Sequence, residues 1–236
     1  MKIQDSVALV TGANRGLGLA FTEALVAGGA RKVYAAARDP DSIKQRGVEA
    51  VRLDVTKPEQ VAAAAKALGD VTLVVNNAGI LHGSGFLGDD GLIAVRAELE
   101  TNFFGPLVVA RAFAPILAKN GGGAIVNVLS ALSWVSFPTS STYSASKAAA
   151  WSLSNGLRNE LRGQGTQVLA LHVGFMDTDM ARHVQAAKTR PEEVAAQTLA
   201  ALEAGKSEVL ADEASRRIKQ ALSADPGVYL APPAAA

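Results

Sequence analysis

The sequence predicts an α/β protein built on a doubly wound, parallel seven-stranded sheet with helices on both faces. Three observations support this fold class: seven short apolar runs, helix-length segments between them, and a glycine-rich turn directly after the first run. The apolar runs lack polar alternation, which is typical of parallel strands covered on both faces. Regular alternation of strands and helices implies right-handed crossovers, and therefore one doubly wound sheet.

The seven predicted strands are, in chain order, VALVTG, KVYAAA, AVRLDV, VTLVVNN, AIVNVLS, QVLALHV and SEVLAD. Met1 leads almost directly into the first of them, so the chain opens on a strand rather than on a signal peptide. No apolar run approaches the ~20 residues that a membrane-spanning helix needs. A cytoplasmic location is therefore expected.

The segments between the strands carry helix start and stop signals. RGLGLAFTEALVAGG ends in a glycine pair, which is a typical C-cap. KPEQVAAAAKALG has Pro58 in its first turn and Gly69 at its end. A late helix is predicted to open at Pro191 and to close at Gly205.

Two longer stretches are also predicted to be helical. The stretch 91–123 is long enough for two helices, with a break near Asn102 to Pro106 because proline interrupts a helix. A further long helix is predicted from Ser141 to Arg162.

Length and composition restrict the function classes. The chain of 236 residues suffices for one domain with a sizeable core, and we find no linker that would divide it. Lys and Arg total 23 against 22 Asp and Glu, so the charge does not favour nucleic acid or an acidic membrane as a partner. Cysteine is absent and the three histidines lack ligand spacing, so no metal site is predicted. The residues 225–236 are predicted to form a loosely ordered tail.

The first strand runs into TGANRGLG, whose glycines are Gly12, Gly16 and Gly18. A strand, a glycine-rich turn and a helix together create an anion site, because free backbone N–H groups and the positive end of the helix dipole face the ligand. Glycine also lets the backbone approach a pyrophosphate closely. The alternative is a tight turn with a structural role only.

Tyr143 and Lys147 lie four residues apart in TYSASKAAAW, so a helix places them on one face. Alone the pair is weak evidence, because most such pairs lie on solvated helix faces. In a catalytic site the ammonium would favour the phenolate and lower the tyrosine pKa from its usual value near 10. Proton transfer is most efficient when that pKa lies closer to the working pH.

Together these motifs resemble the single-domain short-chain dehydrogenase/reductase family. The spacing TGxxxGxG is that of its phosphate loop, and NNAG at 76–79 follows the fourth strand as it does there. Ser130 lies thirteen residues before Tyr143, as in that family, and Asn102 lies where the family has its helix-kinking asparagine. The resemblance extends from Val7 to about Asp212.

The resemblance implies a Rossmann-like domain over residues 1–236 that binds a dinucleotide and interconverts a carbonyl and an alcohol by hydride transfer. The implied catalytic residues are Asn102, Ser130, Tyr143 and Lys147. The implied cofactor contacts are Gly12, Asn14, Arg15, Gly16, Leu17, Gly18, Arg38, Asp54, Val55, Asn77, Ala78, Gly79, Tyr143, Lys147, Gly174, Met176 and Thr178.

The implied roles follow the family's chemistry. Tyr143 would protonate the forming alkoxide, and Ser130 would hydrogen-bond the carbonyl oxygen. Lys147 would also hold the nicotinamide ribose hydroxyls. Asn102 would anchor a water that links Lys147 to solvent; the alternative is a polar residue that only breaks the helix.

The end of the second strand, VYAAARDP, bears on the choice of cofactor. An NAD site usually places a carboxylate there, whereas this chain offers alanines and then Arg38. Guanidinium groups can bind a 2′-phosphate, and Arg15 is the second candidate. Asp39 follows directly and is expected to point away or to orient Arg38. The sequence therefore predicts NADP(H), with NAD(H) as the alternative.

The loop after the sixth strand reads HVGFMDTDM, where the family has Pro-Gly-x-Val-x-Thr. Val173 replaces the proline, whose fixed φ would have preset the turn, so the rigidity of this loop is an open question. The resemblance implies that Met176 and Thr178 contact the carboxamide and the pyrophosphate.

The substrate pocket is the least defined part of the prediction. Candidate lining residues are His82, Trp134, Phe137 and Phe175, each of which could equally be ordinary packing. His172 is expected in the core. Bulky or aromatic aldehydes and ketones are the expected substrates.

Three function classes compete: a carbonyl reductase or alcohol dehydrogenase, an NADP(H)-binding redox sensor, and a lyase or dehalogenase on the same scaffold. All four catalytic residues are present, which favours the first. By resemblance, the helices around Ala110 and Trp151 would pack between subunits, so a homodimer or homotetramer is expected.

Overall fold

Seven parallel strands form one sheet in the computed structural model, which describes residues 1–230. They are β1 (Val7–Thr11), β2 (Lys32–Ala37), β3 (Glu49–Arg52), β4 (Leu73–Asn76), β5 (Ala124–Val128), β6 (Gln167–His172) and β7 (Glu208–Leu210). Their spatial order is β3-β2-β1-β4-β5-β6-β7. The strand order reverses between β1 and β4, whose carboxyl ends therefore flank the crevice where such sheets bind ligands.

Helices cover both faces of the sheet, so the predicted fold class is confirmed. They are α1 (Gly16–Ala27), α2 (Pro58–Ala67), α3 (Gly91–Leu99), α4 (Gly105–Lys119), α5 (Ser141–Glu160), α6 (Pro191–Glu203) and α7 (Glu213–Ala221). The buried side chains of α1 and α6 belong to one apolar core, and those of α2, α4 and α5 belong to a second core on the opposite face.

The spacing of apolar residues explains how each helix attaches to the sheet. Leu17, Phe21 and Leu25 recur every fourth residue of α1 and are buried against the first core. Phe113 and Leu117 do the same for α4 in the second core. Each such side chain contributes about 1.5–3 kcal/mol when it is fully buried.

The predicted break in the stretch 91–123 is a π-helical turn, Glu100–Phe104, that joins α3 to α4 without a loop. The combined helix Gly91–Lys119 is long enough to cross a membrane, and an 18-residue window of it has a mean hydropathy of 1.3. The expectation that no segment has that character was therefore wrong. Phe113 and Leu117 are fully buried against the sheet, so the helix contributes to the core.

The helix ends follow the glycine and capping signals. Gly28 ends α1, and the next residue, Gly29, has a φ of 78°, the left-handed conformation that glycine adopts easily. Helix α7 was not predicted; the Asp212 side chain caps its first turn. The predicted tail falls partly on 231–236, which lie outside the described residues.

Candidate active site

The glycine loop between β1 and α1 packs tightly against the loop that follows β4. Gly12 and Gly16 have φ values of 64° and 53°, which favour glycine. A Cβ on Gly18 would collide with the Gly12 carbonyl oxygen and would lie 2.5 Å from Nδ2 of Asn77. The loop therefore requires glycine at Gly18 for packing as well as for ligand access.

Asn77, predicted as a cofactor contact, uses its side chain to hold the glycine loop. Its Nδ2 donates to the carbonyl oxygens of Thr11 at 2.9 Å and Gly12 at 3.1 Å. The backbone N–H groups of Asn77 and Ala78 donate to Thr11 Oγ1 at 3.0 and 3.1 Å. These bonds lock the first two segments of the site together.

The N-terminus of α1 is available to an anion. Within residues 1–230, no side chain caps its first turn, and Arg15 stands at the N-cap with extended backbone. First-turn N–H groups without partners attract phosphate through hydrogen bonding and the helix dipole. Thr178 lies opposite, since a Cβ on Gly16 would be 3.3 Å from Thr178 Cγ2. The residues thus fit a dinucleotide pyrophosphate.

Arg38 directly follows the carboxyl end of β2. Asp39, the residue that could oppose a 2′-phosphate, accepts a hydrogen bond from the Asp41 N–H at 3.2 Å and caps the short turn Pro40–Ser42. Arg52 lies beside Arg38, because the end of β3 pairs with the end of β2, and its Nη1 donates to the Arg38 carbonyl at 3.2 Å.

The two residues after β3 lie at the neighbouring edge. Asp54 Oδ1 accepts from the Thr56 N–H and hydroxyl, and Val55 is buried beside Gly105. Their contact with the cofactor stays a prediction.

The predicted catalytic residues converge at the carboxyl end of β5. Tyr143 and Lys147 are one turn apart on α5, and Ser130 follows β5 in extended backbone. Lys147 is 5% exposed, and its Nζ donates to the Val128 carbonyl oxygen at 2.9 Å. The Ser130 Oγ accepts from the Leu132 N–H at 3.1 Å, and the Ser130 hydroxyl acts to lower the pKa of Tyr143.

Asn102 sits inside the π-helical turn and is 1% exposed. Its Oδ1 accepts from the Ile80 N–H at 2.9 Å, and its Nδ2 donates to the Ile80 carbonyl oxygen at 3.0 Å and to Ser146 Oγ at 2.9 Å. A Cβ on Gly79 would lie 3.2 Å from Asn102 Oδ1 and 3.7 Å from Lys147 Nζ. The asparagine is therefore a neighbour of the lysine, but its side chain is occupied by protein groups.

The loop after β6 closes the site from the other side. Gly174, Met176 and Thr178 all lie on it, and Met176 pairs with Thr189 in an isolated bridge. Asp179 forms an exposed ion pair at 3.1 Å with Arg15 of the glycine loop. The two loops that would enclose a pyrophosphate are thus in direct contact.

The short chain dehydrogenase family model matches residues 6–189 of this sequence, which include the glycine loop and the Ser130, Tyr143 and Lys147 group. The chain belongs to the short-chain dehydrogenase/reductase family. This family membership makes it an oxidoreductase of a known fold, as the motifs predicted.

Relatives of this short-chain dehydrogenase have differing substrates and cofactors. A 1-deoxy-11-beta-hydroxypentalenate dehydrogenase from Streptomyces exfoliatus is 36% identical over 201 residues, which cover 79% of this chain and 73% of that protein. A short chain dehydrogenase from Burkholderia cenocepacia in complex with NADP is 44% identical, with a TM-score of 0.92 and 96% of both chains covered. A relative from Burkholderia phymatum in complex with NAD is 27% identical, with a TM-score of 0.84 and 94% of both chains covered.

Burial dominates the electrostatics of the catalytic group in this short-chain dehydrogenase. It raises the pKa of the Tyr143 phenol above its usual value, the charge of Glu98 raises that pKa further, and the Ser130 hydrogen bond opposes both. Burial also lowers the pKa of Lys147 to about 8. Burial therefore favours the neutral phenol in the protein itself, whereas the sequence predicted that the Lys147 charge would favour the phenolate.

The four predicted pocket residues occupy different environments. The Trp134 ring stacks on His172 at 3.9 Å between centroids and meets Trp151 edge-on, so it takes part in packing. His172 is fully buried, as expected, and its Nδ1 lies 3.1 Å from the Ser130 carbonyl oxygen. Phe175 is 45% exposed on the loop after β6.

His82 and Phe137 lie on the loops that precede α3 and α5. The His82 side chain is exposed, and the backbone N–H of His82 donates to Glu98 Oε1 at 2.8 Å. Phe137 is half-buried. Their contact with a substrate stays a prediction.

Several supporting residues escaped the sequence analysis. Asn76 Nδ2 donates to Asn127 Oδ1 and Asn127 Nδ2 donates to Ser154 Oγ, both at 2.9 Å, which forms a buried polar chain beneath the site. Glu98 is fully buried, one turn before Asn102. No local pattern could find these contacts, because their partners come from different elements of the fold.

Proposed function

We propose that this protein is an NADPH-dependent oxidoreductase that interconverts a ketone or aldehyde and the corresponding alcohol. The observation that carries the proposal is the convergence of Ser130, Tyr143 and Lys147 beside an uncapped helix N-terminus. The carbonyl reductase or alcohol dehydrogenase type is the member of the family that these residues fit best.

The proposed chemistry is proton transfer matched to hydride transfer. When bound, NADPH supplies the hydride that reduces the carbonyl carbon. Tyr143 donates its phenolic proton to the substrate oxygen as that oxygen gains negative charge, and Ser130 Oγ donates a hydrogen bond to the same oxygen. The raised pKa of Tyr143 keeps the phenol protonated, which is the form that reduction requires.

Lys147 and Asn102 complete the proposed site. The Lys147 ammonium, fixed by the Val128 carbonyl, would hold the nicotinamide ribose hydroxyls and return a proton toward Tyr143. Asn102 would support the water that connects Lys147 with solvent, through its position next to the lysine.

The preference for NADP(H) rests on Arg38, Arg52 and Arg15. Arg38 and Arg52 lie at the adjacent ends of β2 and β3, and Asp39 is engaged in a turn rather than facing them. Guanidinium groups attract a 2′-phosphate and do not replace the carboxylate that an NAD site uses. The NADP in the Burkholderia cenocepacia relative supports this choice, and NAD(H) is the alternative.

For the substrate we propose a bulky, largely apolar carbonyl compound or alcohol. Phe175 and Met180 expose 45% and 44% of their surface on the loop after β6, and Phe86 exposes 55% on the loop after β4. The terpenoid name of the Streptomyces exfoliatus relative is consistent with such a substrate.

We also propose a cytoplasmic homo-oligomer. The outer surfaces of α4 and α5 form a groove lined by Phe103, Leu107, Leu153 and Glu160. Ala110 itself is buried in the core, so the contact between subunits would be made by the outer faces of these helices.

A redox sensor that binds NADP(H) with little turnover is the alternative function. A panel of aldehydes, cyclic ketones, steroids and quinones, followed by NADPH absorbance, separates the two. The proposal predicts substrate-dependent NADPH oxidation with at least one bulky carbonyl compound. Tight NADPH binding without turnover on any member of the panel would favour the sensor.

A further inference from the structure

One carboxylate connects the loop after β6 to the last helix. Asp212, the N-cap of α7, accepts a hydrogen bond from the Gly174 N–H at its Oδ2. Its Oδ1 accepts from the Ser215 N–H at 2.8 Å and from the Ser215 hydroxyl. Both oxygens of the side chain are therefore used, one toward the loop and one toward the helix.

The start of this loop has few other constraints. Among the described residues, the Val173 N–H has no hydrogen-bond partner, whereas the Val173 carbonyl oxygen accepts from the Ala131 N–H at 3.1 Å. Valine leaves its φ free, while proline at that position would fix it. The Asp212 bond thus holds the loop at Gly174, between the Val173 bond to Ala131 and the backbone bonds that Phe175 and Asp177 form with Thr189 at 2.9 and 3.0 Å.

The contact with Asp212 also explains why position 174 is a glycine. A Cβ on Gly174 would lie 3.0 Å from Asp212 Oδ2, which is too close without a shift of the carboxylate. The small residue and the acidic residue therefore form a matched pair, 38 positions apart in sequence.

We infer that Asp212 is a positioning residue that holds the cofactor-binding loop in place through Gly174. The inference rests on the proposed function and names a residue that acts on the cofactor through the loop without touching it. The competing explanation is that Asp212 only caps α7.

Asp212→Asn tests the shared use of the carboxylate, because asparagine caps a helix as well as aspartate does but its single accepting oxygen cannot serve the Gly174 and Ser215 N–H groups at once. The matched control is Glu213→Gln, which removes the neighbouring charge, since within residues 1–230 Glu213 pairs with Arg216 alone, on the surface.

We expect two changes in Asp212→Asn. In the cofactor-free protein, the amides of 173–180 exchange with solvent about tenfold faster. The Kd for NADPH, measured by fluorescence titration, rises about tenfold, the change that one charge-assisted hydrogen bond typically produces. Glu213→Gln leaves both quantities within about twofold of the wild type.

A proline supplies the sharper test. If Asp212 acts by restraining the loop, the Kd penalty of Asp212→Asn falls to about threefold or less in a Val173→Pro background, because proline restrains the same segment. An equal penalty in both backgrounds, or unchanged exchange and Kd in Asp212→Asn, overturns the inference. A wild type that binds neither NADPH nor NADH refutes the proposed function instead, while the exchange of 173–180 still decides whether Asp212 holds the loop.

Discussion

The ammonium of Lys147 lies 5.6 Å from the centre of the Tyr143 ring and donates its hydrogen bond to Val128 rather than to the phenol. The lysine is thus placed to act on the tyrosine through space. Its charge is also easily lost, because burial lowers its pKa to about 8. Above that pH a larger share of the free enzyme has a neutral lysine.

The fall of activity at alkaline pH should therefore reflect the deprotonation of Lys147. We expect kcat/KM for NADPH to fall as pH rises through about 8, since this ratio reflects ionisations of the free enzyme. Initial rates between pH 6 and 10 provide the measurement. The control variant Lys119→Met, at an exposed position, should show the same fall of kcat/KM at high pH. A kcat/KM that is constant from pH 7 to 10 in the wild type would contradict the role of Lys147.

Cofactor preference should depend on Arg38. We expect the wild type to favour NADPH over NADH, and Arg38→Asp to lose at least about tenfold in kcat/KM for NADPH, because it exchanges a phosphate partner for a repelling charge. Arg162→Asp at the opposite edge of the sheet should change the preference little. A wild type that favours NADH would refute the NADP(H) proposal.

The glycine loop should not tolerate a methyl group at Gly18. Gly18→Ala would press against the Gly12 carbonyl and Asn77 Nδ2, so we expect NADPH affinity to fall at least about tenfold. Gly163→Ala is the matched control, since nothing lies within 4 Å of its added Cβ. Calorimetric or fluorescence titrations with NADPH measure the effect, and equal affinity in both variants would be inconsistent with it.

Acid should destabilise the protein through His172. Burial lowers its pKa from 6.5 to about 4, with the Ser130 carbonyl opposing, so the unfolded chain binds the proton more readily. The stabilising contribution is present above pH 6.5 and is lost as pH falls toward 4, by roughly 3 kcal/mol.

Denaturant unfolding between pH 7 and 4 tests this contribution. His172→Phe keeps an aromatic ring against Trp134 but cannot titrate, so its stability should vary less with pH. The exposed His183→Phe variant should retain the wild-type dependence. If the free energy of unfolding varied with pH in the same way in His172→Phe and in the wild type, His172 would not be the source of the pH dependence.

The seven strands and the clustering of Ser130, Tyr143 and Lys147 were predictable because each rests on local signals. Short apolar runs identify buried parallel strands, and the spacing from Ser130 to Tyr143 and Lys147 fixes their elements. The π-helical turn was predicted only as a break, since Asn102 and Pro106 indicate an interruption but not its geometry. The desolvation that favours the neutral tyrosine was not predicted, because it depends on packing that no local pattern contains.

The supporting contacts could not be predicted from the sequence either, because they depend on tertiary packing. Asp212 and Gly174 meet across 38 residues, and Asn127 contacts Asn76 and Ser154 from different elements. Only the register of the sheet and the packing of its helices bring such residues together.

The most direct measurement is single-turnover hydride transfer in Tyr143→Phe, using the best carbonyl substrate from the panel. If Tyr143 is the proton donor, the variant binds NADPH with a Kd within about threefold of the wild type, and its transfer rate falls by a factor of about 10²–10⁴. A rate within threefold of the wild type, with NADPH bound, would contradict the central claim.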